Sequence, residues 1–116
     1  MKKIFLLMFL PVFSFAVGCR EAKAPADQHI KVVMKKYSFD PPEIHVKSGQ
    51  TIELELTTAD VQHGLDIPDL SIKQAVQPGQ TATVRFKAPA KGEYKIVCGV
   101  ICGPHHDDMA GKLVVE

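Results

Sequence analysis

Twelve residues near the C-terminus concentrate the side chains able to do chemistry: Cys98-Gly-Val-Ile-Cys102-Gly-Pro-His105-His106-Asp-Asp-Met109. Thiolate and thioether sulfur favour Cu(I), and imidazole serves either oxidation state, so this density of soft donors suits copper. The segment is short of one donor. His63, in Asp60-Val-Gln-His63-Gly-Leu-Asp-Ile-Pro68, is the candidate, because it lies just past a strand-like run from which a sandwich can deliver it to the same end.

Those donors need a frame. Ile52, Leu54 and Leu56 alternate with Glu53 and Glu55, which predicts a strand with one buried and one wet face. Val84 and Phe86 alternate in the same way within 83–87, and 92–97 and 112–116 are two more β-rich runs. Asp40-Pro-Pro42, Ser48-Gly49-Gln50, Pro78-Gly79 and Lys91-Gly92 punctuate them as turns. No window of a dozen residues holds helical spacing without a Gly or Pro.

The expectation is one all-β domain, a Greek-key β-sandwich of seven or eight short strands over 30–116. Ile44, Val46, Ile52, Leu54, Leu56, Val84, Phe86, Tyr94, Ile96, Leu113 and Val115 are its candidate core, and Met34, alternating with Val32, joins it rather than the metal. Cys98 is expected to close one strand, with Gly99, Gly103 and Pro104 letting the loop turn tightly before the last strand. A domain of this size buries a modest core, so a bound metal should add noticeably to its stability.

Residues 1–18 read as an export signal: Lys2 and Lys3 precede an apolar run from Ile4 to Val17, too short to span a bilayer comfortably. An uncleaved membrane anchor is the alternative. Ala16-Val17-Gly18-Cys19 resembles a bacterial lipobox, in which cleavage precedes the cysteine and that cysteine is lipidated; ordinary secretion is the other reading. Three cysteines fit the lipid, because acylating Cys19 leaves Cys98 and Cys102 as a pair in an oxidising compartment. Residues 19–29 read as a tether. The expected location is therefore the periplasm or the outer face of the cell membrane.

Without the two leader lysines, the 14 basic residues of the chain fall to 12 against 13 acidic, a formal balance of −1. No basic stripe points to nucleic acid. No nucleophile, general base or substrate pocket is recognisable, so any catalytic label would be inherited from a complex.

The spacing Cys-x3-Cys-x3-His-x2-Met, preceded by Asp-Val-x-His, resembles the CuA domain of cytochrome c oxidase subunit II and nitrous oxide reductase. The resemblance covers nearly all of 37–116, including Phe39-x-Pro-x-x-Ile44 and the Pro78-Gly79 turn. It implies a cupredoxin-like fold and two copper ions bridged by Cys98 and Cys102. His63 and His106 would each cap one ion, with Met109 a weak ligand beside His63 and the carbonyl oxygen of Val100 its counterpart beside His106. Relatives often carry Glu or Gln at that position, but a backbone oxygen coordinates. Asp60 is a candidate for fixing an imidazole from behind.

The implied function is electron transfer, from a cytochrome c-type donor to a terminal oxidase or other redox acceptor. Three alternatives stand beside it. A mononuclear blue-copper site would use His63, Cys102, His105 and Met109. A copper carrier or assembly factor would hold exchangeable Cu(I). A Cys98–Cys102 disulfide would leave the histidines incidental. In the CuA reading His105 points outward, and His105→Ala tests whether it assists copper loading. His29 and His45 are expected on the surface. The chain departs from the oxidase subunit in having no tryptophan, in placing Ala110 where relatives often carry a larger side chain, and in showing no apolar segment besides the leader.

Overall fold

The computed structural model describes residues 24–116. The leader, Cys19 and residues 20–23 of the expected tether lie outside the described residues. Nine strands follow: β1 Gln28–Lys35, β2 Ser38–Asp40, β3 Glu43–Val46, β4 Thr51–Thr58, β5 His63–Ile67, β6 Ile72–Val76, β7 Ala82–Lys87, β8 Gly92–Val97 and β9 Ala110–Val115. Two single turns of 3-10 helix, Pro68–Leu70 and His106–Asp108, are the only helical pieces among the described residues.

The strands form two mixed sheets, β2-β1-β4-β7 and β3-β9-β8-β5-β6, stacked as a Greek-key sandwich. β1 runs parallel to β4, and β3 parallel to β9, while the remaining neighbours are antiparallel. Period-two alternation decides which face of each strand is buried. In β4, Ile52, Leu54 and Leu56 are fully buried and face the other sheet, with Glu53 and Glu55 outside. Their in-register neighbours repeat the pattern: Leu54 pairs with Ile30 of β1 and Val84 of β7. Across the outer face, His29, Glu53 and Arg85 share a register, and Glu53 accepts a 3.2 Å hydrogen bond from Arg85.

The opposing layer contributes Ile44, Val46, Leu65, Ile67, Val76, Ile96, Leu113 and Val115. Eight of the eleven residues expected in the core are buried, and Val84, Phe86 and Tyr94 pack against it half-buried near the edges. Met34 is buried in the core as expected. Phe39, Leu65, Ile67 and Val76 join the core without having been expected there. Gly64 and Pro68 flank a short alternation, which reads as a loop in sequence, yet His63–Ile67 pairs fully with β6.

Turns lie where Gly and Pro place them. The amide of Gln80 donates to the carbonyl of Gln77 at 3.0 Å around Pro78-Gly79, and the amide of Gln50 donates to Lys47 at 3.2 Å before β4. The chain joins the sandwich at the pole where β4 begins. Asp27 and Thr51 exchange hydrogen bonds there: the Asp27 amide donates to the Thr51 carbonyl, and the Thr51 amide donates to the Asp27 carboxylate, both at 2.8 Å. Arg85 donates to the Ala24 carbonyl. Regular structure therefore starts at Gln28, two residues before the expected edge at 30.

Candidate metal centre

The site occupies the pole opposite this entry, where β1, β4 and β8 end and β5 and β9 begin. Its donors come from two segments. His63 is the first residue of β5, and alternation turns its ring inward, where it is fully buried. Cys98 follows the last residue of β8, and the loop returns to β9 through the 3-10 turn His106–Asp108. Cys98, Cys102 and Met109 turn into the protein, whereas Ile101 between the cysteines is 86% exposed.

The loop's tight course is set by what packs against it. A Cβ on Gly99 would overlap the Asp66 carboxylate, and one on Gly103, at φ 149°, would stand 2.5 Å from the Tyr37 hydroxyl. Only glycine tolerates both demands at Gly103. Beneath the loop, the Val100 side chain rests on Gly64, where a Cβ would approach it to 3.1 Å.

The donor atoms form a continuous chain. His63 Nδ1 lies 3.9 Å from Cys98 Sγ, the two sulfurs are 3.7 Å apart, and Cys102 Sγ is 3.7 Å from His106 Nδ1. The Val100 carbonyl oxygen is 3.1 Å from Cys98 Sγ, and Met109 Sδ is 4.0 Å from Cys102 Sγ. The ligand atoms of His63, Cys98 and Cys102 all lie within 4.8 Å of one another. Two donors bound at about 2.0–2.3 Å to one first-row metal ion stand roughly 3.3–3.8 Å apart at tetrahedral angles. The set therefore fits a soft metal ion in both spacing and chemistry.

Cys98 and Cys102 are not bonded to each other, their sulfurs standing 3.7 Å apart. Of the two adjacent histidines, His106 turns its Nδ1 to Cys102. His105 is largely exposed, pairs with Asp108 at 3.3 Å and meets the Tyr37 ring edge-on at 5.3 Å between centroids. His29 and His45 lie on the surface beside Glu53 and beside Glu43 and Glu116.

Asp60 sits behind His63. One carboxylate oxygen accepts from His63 Nε2–H and from the Val61 amide, both at 2.6 Å, and the other accepts from the Lys36 amide at 2.7 Å. With Nε2 donating to Asp60, the lone pair of His63 is on Nδ1 and faces Cys98. Burial pushes the Asp60 carboxyl up, but the Lys36 and Val61 amides and His63 outweigh it and hold the group down at about 2. A depressed carboxyl stabilises the fold above its unfolded value and loses that contribution as pH falls through the folded one. The metal-free protein should thus lose about 1 kcal/mol between roughly pH 4 and 2, after allowance for partial exposure. Asp60→Asn should flatten that limb in melting curves recorded against pH.

The Cys102 thiol moves the other way, pushed up to about 11 by burial and by the neighbouring Cys98. It keeps its proton at neutral pH without metal, and metal uptake must release it. Apparent affinity should therefore rise about tenfold per pH unit from this group alone, as read by chelator competition from pH 6 to 8.

Tyr37, Asp66 and Gly64 are the site neighbours that the sequence did not signal. Each belongs to a turn or strand distant in sequence from the Cys98–Met109 loop, and only the tertiary fold brings it near.

Comparison with known proteins gives a consistent set of similarities. A model described as a cupredoxin-like domain matches residues 6–115. Cytochrome c oxidase subunit 2 of Thermus thermophilus is 34% identical over 92 residues, covering 79% of this chain and 68% of that protein, and the subunit of the same name from a specified strain of that species is matched over 55% of its length. Nitrous-oxide reductase of Cupriavidus necator is 30% identical over 91 residues, 75% of this chain and 14% of the reductase. Among solved structures, the periplasmic domain of subunit II of cytochrome oxidase from Bradyrhizobium japonicum superposes with a TM-score of 0.73 at 24% identity, covering 80% of this chain and 86% of that one. A chain of a heme-copper terminal oxidase dimer gives 0.70 at 29% identity over 78% of this chain and 65% of its own.

Proposed function

The chain belongs to the cupredoxin-like domain family, within which it is homologous to cytochrome c oxidase subunit 2 and nitrous-oxide reductase, and from that premise we propose an electron-transfer protein holding a binuclear CuA-type copper centre. The observation that carries the reading is the symmetric donor chain: imidazole, thiol, thiol, imidazole at 3.7–3.9 Å steps, with one weak donor beside each sulfur. A mononuclear cupredoxin-type copper uses three or four donors, whereas two ions sharing both sulfurs would use all six.

In this reading Cys98 and Cys102 would hold both ions through their thiolates, His63 and His106 would each hold one, and Met109 and the Val100 carbonyl would be the weaker donors on the His63 and His106 sides. The bound pair supplies a one-electron couple, and everything else falls to the protein. The two sheets hold the donors at fixed spacing, so a change of charge moves few atoms. Burial of His63, Cys98, Cys102 and Met109 excludes water from the donors. Asp60 holds His63 in the tautomer and orientation that presents Nδ1.

The oxidase relatives suggest the circuit: a cytochrome c-type donor, and a terminal oxidase or other redox acceptor. Residues 1–18 serve as an export leader, Cys19 as a lipid attachment point and the segment to about 29 as a tether, with the domain in the periplasm or on the outer face of the cell membrane. Mass spectrometry of the processed protein checks that assignment; a mature N-terminus other than a lipid-modified Cys19 refutes it.

The decisive measurement is copper stoichiometry with electron paramagnetic resonance of the reconstituted chain. Two coppers and a mixed-valence signal are expected. One exchangeable Cu(I) without that signal would instead identify a copper carrier.

A further inference from the structure

Two segments far apart in sequence must stay in register for the site to work: the one carrying Asp60 and His63, and the loop from Cys98 to Met109. The strand begun by His63 packs directly on the first part of the loop, Gly64 against Val100 and Asp66 against Gly99, but among the described residues no backbone hydrogen bond outside the sheets joins it to the later stretch from Cys102 to His106. That stretch and Asp60 both touch a third element, the turn between β1 and β2. On one side, the Lys36 amide donates to Asp60 at 2.7 Å, and Asp60 in turn accepts from His63 at 2.6 Å. On the other, the next residue, Tyr37, lays its hydroxyl end over Gly103 and meets the His105 ring edge-on at 5.3 Å and 73°. Gly103 and His105 flank Pro104 and lie directly between Cys102 and His106.

We propose that the Lys36–Tyr37 turn is a clasp, a positioning element that ties the His63 segment to the Cys102–His106 loop and so fixes both ends of the donor chain relative to each other. The Lys36 amide sets one end through Asp60, and the Tyr37 ring sets the other by packing on Gly103. Because the two contacts come from adjacent residues of one short turn, displacement at one end is passed to the other. The ring does this by shape: Tyr37 is half-buried against the core and fills the space that a side chain at position 103 would need. The inference deepens the copper reading and rests on it for its consequence, slow copper release, while the mechanical coupling itself is a property of the metal-free chain.

The test uses the full chain in wild-type, Tyr37→Ala, Tyr37→Phe, Asp60→Asn and Tyr37→Ala/Asp60→Asn forms. Copper passing from the reduced, loaded protein to a Cu(I) chelator such as bicinchoninate should speed up roughly tenfold in Tyr37→Ala. Tyr37→Phe keeps the ring and should stay within about twofold of wild type. The double variant should fall well short of the product of the two single effects, because both break one clasp; a multiplicative result means independent contacts and overturns the proposal. Tyr94→Ala, at the far pole, is the control for general loosening, since it removes the Tyr94 hydrogen bond to Ala90. If it lowers metal-free melting as much and accelerates release equally, the clasp is refuted.

A wild-type chain without two coppers defeats the copper reading alone. The clasp is then judged on metal-free amide exchange. Tyr37→Ala should accelerate exchange at 103–106 and at 61–63 together, and acceleration confined to 103–106 refutes the coupling.

Discussion

Replacing Cys98 with Ser is expected to abolish the mixed-valence signal and reduce the copper content from two ions per chain to one or none. A serine hydroxyl occupies nearly the same volume as the thiol, so the fold should survive with a loss of about 1 kcal/mol. What it cannot do is supply a soft anionic sulfur between two ions. Cys98 stands 3.7 Å from Cys102, 3.9 Å from His63 Nδ1 and 3.1 Å from the Val100 oxygen, so its removal breaks the donor chain in the middle. The variant also separates the two copper arrangements this fold could carry. In a mononuclear site built on Cys102 and His63, Cys98 has no part, and Cys98→Ser would retain one blue copper with full intensity. In the binuclear reading Cys98→Ser and Cys102→Ser should each abolish the mixed-valence signal. A Cys98→Ser protein with an unchanged spectrum ends the binuclear proposal.

Leu54→Ala should produce the largest loss of stability and reveal how much of it the metal can restore. Leu54 is fully buried at the centre of β4, between Ile30 on one side and Val84 on the other. Truncation in such a place removes transfer energy and leaves a cavity that the two sheets cannot close, about 3 kcal/mol in all. For a domain of this size that corresponds to a melting point lower by roughly 15 °C in the metal-free state. A ligand at a thousandfold excess over its dissociation constant adds about 4 kcal/mol to the folded state. Loading with copper should therefore bring Leu54→Ala back to or above metal-free wild type. Calorimetry of the two proteins with and without copper checks this, and an identical melting point in both states would show that the metal does not couple to folding.

The candidate donors could be read from the sequence because their order is local. Cys98, Cys102, His106 and Met109 fall within twelve residues, and short-range spacing alone sets most of their geometry. The choice of His106 over His105 came with the family resemblance, and the structure gives its physical counterpart in His105's outward ring. The strands β4 and β7 announced themselves by alternation, and β8 and β9 by their β-rich composition. β5 and β6 did not, since Gly64 and Pro68 break the local pattern and only pairing with each other makes them strands. Tyr37 was illegible for a similar reason. Nothing in Lys36-Tyr37-Ser38 marks contact with a loop more than sixty residues away, and only the stacking of the two sheets brings them together. Asp60 fell between these cases: its closeness to His63 in sequence suggested a role, but the Lys36 amide on its second oxygen is a tertiary fact.

The hydrogen bonds that pin Ala24 and Asp27 at the pole where β4 begins have an architectural consequence. From that pole β1 runs eight residues to the donor end, about 26 Å of paired strand. It acts as a mast: whatever the preceding segment is fastened to, the donor cluster is carried just beneath the mast's far tip. Anything exchanging electrons or copper with the site must come to that tip, by reaching across the length of the domain or by arriving from the opposite direction.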